Sequence, residues 1–338
     1  MANQIYDNVI IEKKFESVLA SKLNFQNFLT VDNTLAEDAG MIKKIVKYSA
    51  TGNVEDLAMG VGNTGYIETT VEEVPYEVGV TQGRFAYFDE QALRDDKVVE
   101  AGVTGLAETM TNDFISKAVA EYEKATKSVG YSTISFDTFV DAIAALNVEN
   151  EDEYNLFALV NPAMQASLRK ALKDDIKYVE NFVSTGYIGH VCGVPLYISK
   201  AVPADTIYIA GPKAVTLFVK KGSEAEVSRD VNTRQTIQYL RKVALVALTD
   251  ERYLVKVAKN PATTATITTK TAGAKAIGGA ATTGAVVTVY VNGKLVGTVT
   301  AESNAWTINA EANLATGDVI KAVVVKTGEK NQVVEATV

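Results

Sequence analysis

The 338-residue chain has one His and one Cys, and they stand two positions apart, at His190 and Cys192. Nucleophilic catalysis needs a thiol or hydroxyl with a base in hydrogen-bond reach. On a strand, residues two apart point to the same face, so the pair has the geometry for a thiol and its base. The surrounding Gly189-His190-Val191-Cys192-Gly193 is a tight apolar stretch leading into a strand. That context predicts a packed thiol and a hydrogen-bonded or exposed imidazole, with no catalytic residues. A zinc site would need further nitrogen or sulfur ligands, and the composition supplies none. The acidic run Glu149 to Glu153 lacks the alternating ligands and central Gly of a calcium loop and reads as a solvated loop. The carboxylate pairs Asp89-Glu90, Asp95-Asp96 and Asp174-Asp175 are adjacent in sequence, and adjacent side chains point apart. Met59-Gly60-Val61-Gly62-Asn63-Thr64-Gly65 could cradle a phosphate only with a helix opening after it. Ile67 onward is strand-like, and no Lys follows the glycines. The expectation is a protein without catalytic, cofactor-binding or metal-binding residues, and not an enzyme.

Composition narrows the partners. The formal net charge of -8 gives no global attraction to nucleic acid. The pairs Lys43-Lys44 and Lys220-Lys221 read as solvated surface. No run of about 18 apolar residues occurs, so no membrane-spanning helix is expected. The opening Met1 to Ile10 carries Asn, Gln and Asp and shows no secretory pattern. The single Cys excludes an internal disulfide and fits synthesis in a reducing compartment.

The elements that would position these residues read as α+β. Ile10, Ile11, Phe15, Val18 and Leu19 predict a short amphipathic helix, and Leu23, Phe25, Phe28 and Leu29 continue an apolar arm. The arm has few apolar partners nearby in sequence. Strands are expected near 42–48 and at Val74, Tyr76, Val78 and Val80, which alternate with Pro75, Glu77 and Gly79. With the glycine-rich tip between them they predict an extended hairpin. Val99, Val103, Leu106, Met110, Phe114, Ala118 and Tyr122 recur at helical spacing and predict a helix over about 97–127, ~45 Å long. Gly102 and Gly105 weaken its start, and Gly130 is expected to end it. Residues 131–259 alternate helices near 136–146 and 162–172 with strands near 156–160, 194–199 and 207–210.

After Asn260-Pro261 the composition turns to Thr, Ala, Gly and Val. Strands are expected near 285–291, 294–300, 305–309 and 319–325. Asn292-Gly293 joins the first two as a hairpin turn. Trp306, the only Trp, is expected to fill a small separate β-sandwich core.

This order of arm, hairpin, long helix and mixed body resembles the HK97-type capsid fold of tailed bacteriophages. The segments Thr81 to Ala92, Asn112-Asp113-Phe114, Gly193 to Ser199 and Gly211 to Val215 are most similar to the N4 coat-protein-like branch of major capsid proteins. The resemblance implies an N-arm at 1–38, an E-loop at 39–88 and a P-domain spine helix within 89–130. It further implies an A-domain at 131–227, a return to the P-domain at 228–259 and, from the pattern of 284–293 and 305–308, an all-β bacterial Ig-like domain at 260–338. It implies a homo-oligomer of capsid pentamers and hexamers in a virion, assembled in the bacterial host cytoplasm. Portal and separate scaffolding proteins would be partners, and packaged DNA would be touched nonspecifically. Membranes and cofactors are not expected. Phe15, Phe25, Phe28, Val74, Tyr76, Val78 and Val80 are the expected subunit-interface residues. Two other classes remain: an encapsulin-like compartment of the same fold, and a cell-surface adhesin carrying the Ig-like domain.

Overall fold

A computed structural model of the chain describes residues 28–36, 40–52, 54–57, 59, 61–95, 97–147, 155–172, 189–259 and 264–338. Phe15 and Phe25, the acidic run Glu149 to Glu153 and Asp174-Asp175 lie outside the described residues.

The body is organised by helix α2 (Lys97–Tyr122), which follows the short α1 (Asp89–Arg94). Val103, Ala107, Met110, Phe114, Ala118 and Tyr122 form its buried stripe, at the spacing that places residues on one helical face. Gly102 has a packing role: a Cβ there would meet the Phe85 ring at 2.5 Å, so its absence lets the helix lie close on strand β4 (Gly79–Phe88). The helix is shorter than its sequence pattern predicts. After Tyr122 the chain turns and enters β5 (Lys127–Tyr131), so Gly130 lies inside a strand. Parallel pairing with β12 (Leu254–Lys259) wins over helix continuation there, a long-range contact that local periodicity does not encode.

Two sheets share this body. In one, β1 (Thr30–Asp32), β10 (Val215–Asp230), β11 (Gln235–Leu248) and β4 are neighbours in that order. The long β10–β11 ribbon carries register shifts near Val219, Lys221 and Glu224. In the other, the order is β5, β12, β9 (Thr206–Ala210), β6 (Phe157–Val160), β8 (Val194–Ile198) and β7 (His190–Val191). Helix α3 (Phe136–Leu146) and helix α4 (Pro162–Ala171) contribute Phe139, Leu146, Met164 and Leu168 to the core on one side of this sheet. Asn161 caps α4 by accepting from the Ala163 amide at 2.9 Å, with Pro162 in the first turn, where its missing N–H costs nothing. On the other side, Phe114, Tyr122, Phe157 and Tyr208 make the second core, which Leu29 enters from the arm.

The hairpin consists of β2 (Ile42–Thr51) and β3 (Glu68–Glu77), paired antiparallel from Ile42–Glu77 to Thr51–Glu68. The alternating run from Val74 to Val80 is therefore divided. Its first half belongs to the hairpin, and Gly79 onward belongs to β4, which pairs with β11.

Residues 264–338 form a β-sandwich. One sheet holds β13 (Thr269–Lys270), β14 (Ala276–Ala280) and β17 (Ala305–Asn309). The other runs β19 (Gln332–Thr337), β18 (Val319–Val325), β15 (Val286–Val291), β16 (Lys294–Thr300). Trp306 is buried between them and donates its indole N–H to Ala280 O at 3.3 Å. Asn292 (φ 49°) and Gly293 (φ 78°) make the tight turn, as their types predict. The sandwich does not hang free: β16 continues into β3 through the pairing of Lys294 with Glu73, so the sheet extends across to the hairpin.

Candidate assembly surfaces

The residues with chemical potential are arranged structurally. β7 ends at Val191, and Cys192 (φ 51°) with Gly193 (φ 78°) forms the two-residue turn into β8. Cys192 thus lies in the turn and not on a strand with His190, so the rule that residues two apart on a strand share a face does not apply to the pair. Asp89 and Glu90 pair with Arg229 at 2.6 Å and Arg234 at 2.8 Å. At the hairpin tip, two of the backbone N–H groups of the glycine-rich segment are taken by Glu55, which accepts from the Thr64 amide at 2.9 Å and the Gly65 amide at 2.8 Å. Hydrogen bonds from Thr64 hold that carboxyl below its usual range. Among the described residues, no group of three or more His, Cys, Asp or Glu could hold a metal ion. No described helix is long and apolar enough to cross a membrane.

What remains is surface. The hairpin is anchored at its base and bare at its tip. At the base, the Tyr76 hydroxyl donates to Glu121 Oε2 at 3.0 Å. The same carboxylate accepts the Leu248 amide at 3.3 Å and pairs through Oε1 with Lys124 at 2.5 Å. Burial, and next the Glu121 charge, push the Tyr76 phenol far above its usual range, so it remains a proton donor. Lys47 pairs with Glu251 on the body, and Lys321 of the sandwich pairs with Glu72 at 3.3 Å. Beyond these anchors, Val54, Leu57, Met59, Val61, Tyr66 and Ile67 are exposed, Val54 at 88% and Tyr66 at 76%. Scattered apolar side chains need no explanation, but several exposed close together in sequence at one hairpin tip make that tip the candidate contact surface. The two hairpin strands also carry opposite charge, Lys43, Lys44 and Lys47 on β2 and Glu68, Glu72, Glu73 and Glu77 on β3, with Lys47 directly opposite Glu72 and Lys44 paired with Glu73 at 3.3 Å. Lysines on β2, the outermost strand of its sheet, discourage unspecific strand addition.

The Lys47–Glu251 anchor gives a pH expectation. Burial raises the Glu251 carboxyl, but the Lys47 charge and hydrogen bond outweigh it, so the group lies below its usual range. A carboxyl with a depressed folded value adds stability above its unfolded value and loses it as pH falls through the depressed one. In Lys47→Met, burial is left opposed by weaker partners. The acid-unfolding midpoint, followed by circular dichroism, will therefore move to higher pH than in the parent.

The expected interface residues divide. Phe28 is half-buried in the chain's own core, edge-on to Tyr197 at 4.7 Å and to Phe157 at 5.5 Å, and its carbonyl accepts from the Tyr122 hydroxyl at 2.6 Å. Val78 is buried with Leu35, Ile45, Phe218, Leu245 and Ala247. Val74 and Tyr76 are half-buried, and Val80 is 57% exposed. Period-two alternation identified a strand with an apolar face, but for Val78 that face is covered from within. The tip residues were missed because they follow no period; the available signal was apolar residues inside a Gly/Asn-rich turn.

Comparison with known proteins agrees with a surface-built function. The family described as phage capsid protein matches residues 71–257, more than half of the chain, and the chain belongs to that family. It is a capsid shell protein, a structural protein of bacteriophage type and not an enzyme. Among solved structures it is similar to the mature capsid of bacteriophage PhiM1, at 13% identity and a TM-score of 0.55, with 70% of this chain and 86% of that chain covered. The capsid of a native GTA particle is similar at 12% identity and a TM-score of 0.55, covering 69% and 88%. A virus-like particle from Pyrococcus furiosus is similar at 12% identity and a TM-score of 0.52, covering 73% and 97%. At these identities the likeness is one of fold. No curated protein matches the sequence.

Proposed function

We propose that this chain is the major capsid protein of a tailed bacteriophage, forming pentamers and hexamers of an icosahedral head around double-stranded DNA. In this reading the fold is HK97-type, of the N4 coat-protein-like branch. Residues 1–38 act as N-arm, the β2–β3 hairpin as E-loop, and α2 as spine helix. The observation that carries it is a hairpin fixed at its base by Tyr76, Lys47 and Glu72 and left apolar at its tip. Such a tip gains by burial on a sister copy, at roughly 25 cal/mol per Å² of apolar area. Several contacts of ordinary size per subunit, each reversible alone, multiply into a closed shell. Phe15, Phe25 and Val80 belong to the same proposed bonding surface. The sandwich is proposed as an Ig-like domain displayed outside, and portal and scaffolding proteins as assembly partners. DNA contact is nonspecific, as the net charge of -8 favours a container over a reader.

The test is sedimentation of the purified full chain together with negative-stain microscopy. Uniform closed particles are expected. A chain that stays monomeric across salt, concentration and scaffold conditions would overturn the reading. A second reading, an encapsulin-like compartment, draws on the fold shared with the Pyrococcus furiosus particle. DNA inside particles taken from producing cells decides for the phage head, and its absence for the compartment.

A further inference from the structure

Where the sandwich meets the body, three side chains from distant parts of the sequence enclose a dry polar cluster. Lys256 sits mid-strand in β12, and its side chain is 0% exposed. Its register partners are Tyr208 on β9 and Ser128 on β5, so all three side chains share one sheet face. Onto that face come Glu123, from the turn after α2, and Asn331, from the segment before β19. The ammonium nitrogen Nζ of Lys256 lies 2.5 Å from Glu123 Oε2, 2.9 Å from Asn331 Oδ1 and 3.0 Å from Lys326 O. Asn331 is held on its other sides. Its Nδ2 donates to Glu123 O at 2.6 Å and Ala125 O at 2.9 Å, and its backbone N–H donates to Ser128 Oγ at 3.0 Å. Those two carbonyls can only accept, so the carboxamide nitrogen must face them and the oxygen must face Lys256.

A buried ion pair is a costly way to join two units. Among the described residues, no further well-aligned hydrogen bond reaches the two buried Glu123 carboxylate oxygens, and the buried Tyr208 phenol lies beside them, held in its neutral form by burial and by the Glu123 charge. The cluster thus holds a primary amine, a carboxamide fixed in orientation and a carboxyl group touching the amine, all shielded from water. Those are the components of an amide exchange: a nucleophile, an electrophilic carbon and a proton carrier. Desolvation works in the same direction, lowering the Lys256 amine towards its neutral, nucleophilic form.

We infer that Lys256 and Asn331 are joined by an intrachain isopeptide bond, formed autocatalytically with Glu123 as proton carrier. Lys256 Nζ passes a proton to Glu123 and attacks Cγ of Asn331, forming the C–N bond. The attacking nitrogen then loses a second proton to the carboxylate site as Glu123 protonates Nδ2. The Cγ–Nδ2 bond breaks, and the departing ammonia takes the second proton from Glu123 and leaves as ammonium, so Glu123 ends as the carboxylate it began as. No oxidant or cofactor enters the balance. The bond lies within one chain and ties the sandwich to the body, fixing the unit that also braces the hairpin through Lys321–Glu72. The inference stands on this cluster and not on the capsid reading.

The experiment is mass spectrometry of the folded, full-length chain after prolonged incubation. The intact mass is expected to fall short of the sequence mass by one ammonia, about 17 Da. A tryptic digest should contain a branched peptide joining Tyr253–Lys259 to Asn331–Val338. Lys256→Met and Glu123→Gln, with folding checked by near-ultraviolet circular dichroism, should retain full mass. A folded parent chain at full mass overturns the inference. So does an ammonia loss that survives in Lys256→Met or maps to Asn292-Gly293, where succinimide formation releases the same mass.

Discussion

Replacing residues 50–69 with an Asn-Gly turn will leave a folded, soluble chain that builds no closed shells. The cut falls between Ser49 and Thr70, which are direct partners in the β2–β3 ladder, so a two-residue turn fits the register. The hairpin anchors described above lie below the cut: Tyr76–Glu121, Lys47–Glu251, Glu72–Lys321 and the pairing of Glu73 with Lys294. The segment removed carries Val54, Leu57, Met59, Val61, Tyr66 and Ile67, all exposed and in none of the hydrophobic cores formed by the described residues. Thermal unfolding should therefore change little, while sedimentation shows loss of particles. A change in both would mean that the tip supports the subunit itself.

The largest effect on subunit stability is expected for Phe157→Ala. Phe157 is 2% exposed on β6, at the junction of arm, helix and sheet. Its ring lies 5.5 Å from Phe28 and 6.4 Å from both Tyr122 and Tyr197, each in an edge-on arrangement. Removing a buried ring of this kind costs about 3–5 kcal/mol, the sum of lost transfer energy and the cavity left behind. Urea titration should show a lower midpoint with an unchanged slope, since the surface exposed on unfolding is the same. Because Phe28 and Leu29 share this core, a truncation meant to probe the arm must stop before Phe28. Cutting further removes core as well as contact surface.

Much of the scaffold was legible because its signals are local. Pro162 after Asn161 marks a helix start through the missing N–H and the side-chain cap, and the helix begins there. Asn292-Gly293 marks a turn through tolerance of positive φ. The stripe from Val103 to Tyr122 marks the long helix, but its end was overrun because β5 is set by pairing with β12, far away in sequence. The same limit explains the surface. Alternation cannot say whether Val78 faces a sister copy or its own Phe218, and the cover is internal. The cluster of Glu123, Lys256 and Asn331 was invisible for the same reason: three single residues in unremarkable local contexts meet only after the sandwich docks.

Cryo-electron microscopy of the purified full-length chain under assembly conditions tests the central claim most directly. The account predicts closed shells in which Val54, Met59, Tyr66 and Ile67 of each hairpin tip are covered by a neighbouring copy. Dispersed monomers, or shells whose hairpin tips stand open to solvent, would contradict it.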